Sequence, residues 1–155
     1  MANAALDALI GAGIDHRVVR HEHVTSLADA AAQAGVDTAD VIKTIVVRRT
    51  DDDYVFVLVP GDRAISWPKL RAVLGVNRLS MPDAQTAKTA TGYERGTITP
   101  FGATTAWPVV ADERIVGRTI RLGAGAHDTA VVLVADDVVR VLDAAVADVT
   151  DPAPG

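Results

Sequence analysis

The segment from Val41 to Pro60 constrains this chain more than any other: VIKTIVVRR and YVFVLVP, two β-branched, apolar runs, flank the polar TDDD. That arrangement predicts an antiparallel hairpin. The elements around it predict helices. Met1 to Ile14 reads as an amphipathic helix with Leu6, Leu9 and Ile10 on one face; with Asp7 and no basic leading region it does not read as an export signal. Ser26-Leu27-Ala28-Asp29 resembles a capping box opening a helix that ends at Gly35, and a short helical segment begins near Asp37 or Thr38. Ser66-Trp67-Pro68 opens another helix with Gly75 as its cap, and Pro82-Asp83 starts one that ends by Gly92. Strands are expected at His16–His21, Trp107–Ala111, Thr119–Leu122 and Thr129–Val134. Asp136 is expected to cap a last helix to about Ala145, followed by a short VADV strand. Helices interspersed with hairpins, rather than strict β-α-β alternation, predict a single α+β domain over residues 1–150, with a mixed, mostly antiparallel sheet and a loose tail at 151–155.

Composition narrows the chemistry. At 155 residues and 49% apolar content the chain can bury a core without staples, and with no cysteine it has neither disulfides nor thiolate chemistry, which fits a cytoplasmic protein. No apolar run approaches membrane-spanning length. A net charge of −5 argues against a broad, non-specific nucleic-acid binder but leaves room for a local basic pocket. Phosphate loops of the G-x-x-x-x-G-K-[ST] or G-x-G-x-x-G type are missing, as is a G-x-S-x-G elbow. His21-Glu22-His23 on a strand would place two imidazoles on one face, and Asp51-Asp52-Asp53 could collect a cation. The plainer readings are a polar strand end and a solvated hairpin tip, so no metal and no cofactor is expected.

Two features carry more chemistry. Strand alternation puts Lys43 on the same side as Ile45 and Val47, so its stem crosses a face that reads as buried. Either the stem snorkels to water, or the ammonium lines a cleft and awaits a phosphate or a developing oxyanion. The second feature is TGYERGTITPFG, Thr91 to Gly102, whose glycines permit positive φ and whose Pro100 stiffens the turn, so that main-chain N–H groups can be aimed at a ligand.

Together, VIKTIVV with its lysine, YVFVLVPGDR, SWPKLRAVLG and a loop holding Gly96-Thr97-Ile98-Thr99-Pro100 resemble the YbaK/prolyl-tRNA-synthetase-associated domain family. The resemblance runs from Ser26 to the last helix and implies a mixed α/β domain whose curved sheet holds an aminoacyl pocket. It also implies a free-standing deacylase that hydrolyses the ester of a mischarged small amino acid on tRNA, without a metal. By the same resemblance Lys43 takes the electrostatic role and Gly96 and its neighbours present N–H donors to the scissile carbonyl. Thr44, Thr97, Ile98, Thr99, Pro100, Gly102 and His127 surround the substrate, His127 holding the attacking water or the substrate amine. The partner is the acceptor end of a mischarged tRNA, gripped by local cations such as Lys43, Arg95 or Arg63. A prolyl-tRNA synthetase or another synthetase is a further partner the resemblance admits. The alternatives are a binding module of the same fold without turnover and a metal hydrolase using His21 and His23.

Overall fold

In the computed structural model, which describes residues 3–20, 31–32 and 34–154, the Val41–Pro60 segment folds as read. Strand β2 (Ile42–Thr50) pairs antiparallel with β3 (Asp53–Pro60), Lys43 opposite Val59, and Asp52 takes the left-handed conformation (φ 57°) that closes the tip. The other strands are β1 (His16–Arg20), β4 (Arg63–Ile65), β5 (Val109–Asp112), β6 (Thr119–Gly123), β7 (Thr129–Val134), β8 (Ala145–Ala147) and β9 (Thr150–Pro152). Helices α1 (Ala4–Gly11), α2 (Trp67–Leu74), α3 (Ala84–Thr91) and α4 (Ala135–Leu142) complete the α+β domain, with 3-10 turns at Thr38–Asp40 and Glu113–Ile115. The His21–His23 pair and the helix start at Ser26 fall outside the described residues. The end of that helix does not: the Gly35 N–H donates to the Ala32 carbonyl at 3.2 Å with φ 69°, the left-handed cap expected there.

The strands form three sheets: antiparallel β1-β7-β6, mixed β2-β3-β5-β8 with its last two pairings parallel, and antiparallel β4-β9. Every residue of β3 from Tyr54 onward is buried, because both of its faces are covered. One face (Tyr54, Phe56, Leu58, with Ile42 and Val46) packs against Ile120, Leu122, Val131 and Leu133 of the three-stranded sheet. The other (Val55, Val57, Val59, with Val47 and Val110) packs on Leu70 of α2 and Val149. Each fully buried Val or Leu contributes about 1.5–3 kcal/mol, so this two-sided burial anchors the frame from which the site is hung.

Local expectations failed where a tertiary partner outbid them. In α1 the buried pair is Ala5 and Leu9, one turn apart, and Ile10 lies a further 100° round the helix at 68% exposure. Asp136 is in the first turn of α4 rather than its cap, and its carboxylate accepts from the Gly117 N–H at 2.8 Å. The expected VADV strand is Ala145–Ala147, with Val149 buried beyond it. The tail expected to be loose begins with a paired strand instead: Asp151 lies opposite Ala64 and Pro152 opposite Arg63, and Asp151 also reaches Lys69 at 3.1 Å.

Candidate functional site

The two halves of the site meet at a seam between sheets. Val41, just before β2, forms a single parallel bridge with Arg121 of β6, and no ladder continues from it among the described residues. Two residues further along each strand stand Lys43 and Gly123. A Cβ on Gly123 would meet the Ile98 carbonyl oxygen at 3.5 Å and the Thr97 carbonyl at 3.9 Å. The glycine loop therefore lies over the end of β6.

Lys43 is half-buried, and its ammonium donates to the main-chain carbonyl of Arg63. It neither snorkels freely nor lies unpaired. Burial pushes its pKa below the usual lysine value, and the nearby Asp62 carboxylate opposes that shift. A cleft of about 160 Å³ opens beside it, lined by Ala39, Pro60, Asp62, Arg63, Arg114 and Arg118. Its arginines already hold acids or threonine: Arg118 Nε is 2.6 Å from Asp40, Arg114 spans Asp112 and Asp148, and Arg63 Nε donates to Thr150 Oγ1 at 2.7 Å. A larger cleft, about 310 Å³, lies at the far end of β3 between Tyr54, Trp107 and α3, away from Lys43. Thr44, on the opposite face from Lys43, buries a hydroxyl with no hydrogen-bond partner among the described residues.

The loop is built by its own polar groups. Gly92 caps α3 in the left-handed conformation, and the Tyr93 hydroxyl, its pKa raised by burial, donates to the Phe101 carbonyl at 2.7 Å across the base of the loop. Both the N–H and the hydroxyl of Thr97 donate to the Glu94 carbonyl, at 3.0 and 2.8 Å, closing a tight turn that needs φ 89° at Gly96. Thr97 and Thr99 are 3% and 1% exposed, and Thr99 Oγ1 accepts from the Phe101 N–H. The structure thus turns these two side chains into the loop, where they set its shape. Gly102 belongs to the seat as well, since a Cβ there would collide with the main chain of Ala4. Pro100 is buried and Ile98 packs on the main core. Among the described residues the N–H groups of Glu94, Arg95, Gly96, Ile98, Thr99 and Gly102 find no acceptor in the protein, and those of Gly96 and Ile98 flank the tight turn.

His127 joins them. A Cβ on Gly96 would sit 3.8 Å from its ring, and its Nε2 lies 3.2 Å from Glu94 Oε2. Gly96 and His127 are therefore neighbours and Ile98 lies over Gly123, Lys43 and Thr44 stand on opposite faces of β2, and Thr97, Thr99, Pro100 and Gly102 support the loop. Two participants escaped the sequence. The Arg63 carbonyl has no side-chain signature, and Glu94 carried only a weak one, an acid two residues before the turn glycine.

Residues 21–141 match the family model described as the aminoacyl-tRNA editing domain. The chain is 35% identical over 126 residues to a proline–tRNA ligase of Geobacter sp. (strain M21), covering 77% of this chain and 22% of that protein. To the ligase of Lactobacillus gasseri it is 33% identical over 110 residues, covering 63% and 19%. The chain thus spans about a fifth of the length of these relatives. A crystal structure described as that of a candidate trans-editing enzyme for prolyl tRNA synthetase superposes with a TM-score of 0.88, covering 97% of this chain and 99% of the other. At 21% identity that is a likeness of fold. No helix among the described residues is long and apolar enough to cross a membrane.

Proposed function

Because the chain belongs to the aminoacyl-tRNA editing domain family, we propose that it is a free-standing deacylase that clears a wrongly attached small amino acid from the 3′ end of a tRNA. The observation that supports this reading is a half-buried lysine on β2, its ammonium held only by a neutral carbonyl, in a chain whose glycine loop is shaped by the Thr97–Glu94 bonds and seated over the end of the bridging strand β6. The neighbour described as a trans-editing candidate shares the fold that this reading needs. We place the activity in the cytoplasm, where charged tRNA is found.

An aminoacyl ester is already activated, so the protein need not supply a nucleophile. Water attacks the carbonyl carbon, the carbonyl oxygen gains negative charge, and the bond to the ribose oxygen breaks. The N–H groups of Gly96 and Ile98 are suited to receive that charge, being fixed before the reaction by the Thr97–Glu94 bonds. Lys43 can leave the neutral Arg63 carbonyl for an anionic oxygen, a stronger acceptor. Ile98 is assigned the wall of the acyl pocket. Alanyl, seryl and cysteinyl esters are the substrate class that a pocket of this composition would take.

The test is hydrolysis of a panel of mischarged tRNAs by the wild type and Lys43→Ala. The variant should fold normally and lose on the order of 10²–10³ in rate, the cost of one charge-stabilising contact. Binding without turnover by the wild type would favour the non-catalytic module. Loss of activity in EDTA, restored by a divalent ion, would favour the metal hydrolase built on His21 and His23.

A further inference from the structure

The larger cleft, about 310 Å³ at the end of β3 remote from Lys43, falls in the size range of small-ligand sites. Its floor is a corner of two aromatic rings: Tyr54 and Trp107 meet edge to face, 5.2 Å between centroids and 73° between planes. The indole N–H of Trp107 donates to the Ala90 carbonyl of α3 at 2.9 Å, which fixes the ring and leaves it no polar group to offer. Tyr54 is different. It is 6% exposed, yet among the described residues its hydroxyl has no hydrogen-bond partner, where a buried tyrosine usually has one. The unpartnered side-chain atoms that are sealed from solvent belong to Thr44 and Arg49, so the Tyr54 hydroxyl opens into the cleft it lines. The rim carries charge of one sign. Of the three acids at the hairpin tip, Asp51 is held by Arg48 and Asp53 by Arg49, while Asp52 holds no cation among the described residues. Asp52 lines the cleft, and no described lysine, arginine or histidine does; Gln85, Thr86 and Thr105 add neutral polar groups.

We propose that this cleft binds a flat heteroaromatic ring carrying an amino group, the chemistry of an adenine or cytosine base. The ring lies against the aromatic corner, a contact that any base can make. Its exocyclic amine donates to the Asp52 carboxylate, and the Tyr54 hydroxyl donates to a ring nitrogen. A carboxylate at the rim selects a ring that brings a donor and rejects one that presents a carbonyl there. A phosphate on the ligand stays outside, because no cation lines the cleft to receive it. Tyr54 stands five residues along β3 from Val59, the partner of Lys43, or about 17 Å of strand. The site is therefore separate from Lys43, and it stands whether or not the chain hydrolyses an ester. A base of this kind reaches it as a free nucleoside or within a single-stranded RNA.

Binding is read on the protein itself. The chain has two tryptophans, so its proton–nitrogen spectrum holds two indole resonances, told apart by Trp67→Phe. Adenosine and cytidine should each shift the Trp107 resonance saturably and leave that of Trp67 in place. Inosine and uridine, with a carbonyl where those two carry the amine, should bind about tenfold more weakly, the size of one hydrogen bond to a charged group. Asp52→Asn should erase that preference. Tyr54→Phe removes a hydroxyl that holds nothing among the described residues, so it should unfold at the temperature of the wild type and bind the amine-bearing nucleosides several-fold more weakly. A short single-stranded RNA of adenines and cytosines that binds more tightly than adenosine assigns the base to an RNA strand; one that binds no more tightly assigns it to a free nucleoside. No saturable shift of Trp107 with adenosine or cytidine overturns the site. Equal affinity for adenosine and inosine, or a preference that survives Asp52→Asn, overturns the amine contact. Tyr54→Phe binding as the wild type does overturns the part given to the hydroxyl.

Discussion

Thr44 sharpens what a single residue can reveal. Its hydroxyl is buried without a partner, a condition that costs about 1–3 kcal/mol in a folded protein. Thr44→Val keeps the shape and removes the orphan, so thermal unfolding should show the variant at least as stable as the wild type. If the hydroxyl serves the substrate, deacylation should fall in the same variant. A loss of stability would mean that the group is satisfied in solution and is part of the framework. Gly96 offers a less clean test, because its φ of 89° would place an alanine in a conformation costing about 1–2 kcal/mol before any chemistry is affected. Lys43 and the glycine loop were legible in the sequence because a charged residue in an apolar strand and a cluster of glycines both break a local pattern. The roles of Thr97 and Thr99 were not, since a threonine that donates within its own loop and one that faces a ligand have the same sequence signature.

The elements around the second core are clipped together by charge. Asp148, between β8 and β9, holds both Lys69 of α2 at 3.0 Å and Arg114 of the 3-10 turn after β5 at 2.9 Å, and these cations lower its pKa to about 2. A carboxyl whose pKa is lower in the folded than in the unfolded state contributes stability above its unfolded value, near 3.8, and loses it as pH falls toward 2. Lys69 has its pKa raised by Asp148 and Asp151, so its share persists until pH passes its ordinary value of 10.5. Asp148→Asn should therefore lower the melting temperature at neutral pH, and the difference from the wild type should shrink steadily between pH 4 and pH 2. A constant difference across that range would assign the effect to something other than charge. The hairpin, the helix caps at Gly75 and Gly92, and β7 could all be read locally, because their signals lie within ten residues of one another. The seam could not. The single bridge between β2 and β6 and the seating of the glycine loop on Gly123 join residues some eighty and twenty-five positions apart in the chain, and no local window of sequence holds that information.

For the molecule as a whole, net charge and partner look mismatched: a chain of charge −5 is read as acting on an RNA. Seven of the fifteen lysines and arginines, Arg48, Arg49, Lys69, Lys88, Arg114, Arg118 and Arg140, already hold a carboxylate, so a grip confined to the acceptor end draws on a few of the rest, such as Lys43, Arg63 and Arg95. Contact with about three phosphates of a single-stranded end predicts a slope of roughly −2 when log affinity is plotted against log salt. A fluorescence titration with uncharged tRNA between low and physiological salt would measure it, and a slope several times steeper would require a phosphate surface that these groups do not supply. The β4-β9 pair bears on the order in which the molecule is made. The carbonyl that receives the Lys43 ammonium belongs to Arg63, and Arg63 is itself held by Thr150, 87 residues later in the chain. At roughly 5–20 residues per second on a ribosome, that is a delay on the order of 4–17 s. The hairpin bearing the lysine can fold during this interval, but its charge has no finished resting place until the last strand arrives, so a nascent chain carries the outline of the site before it carries the site.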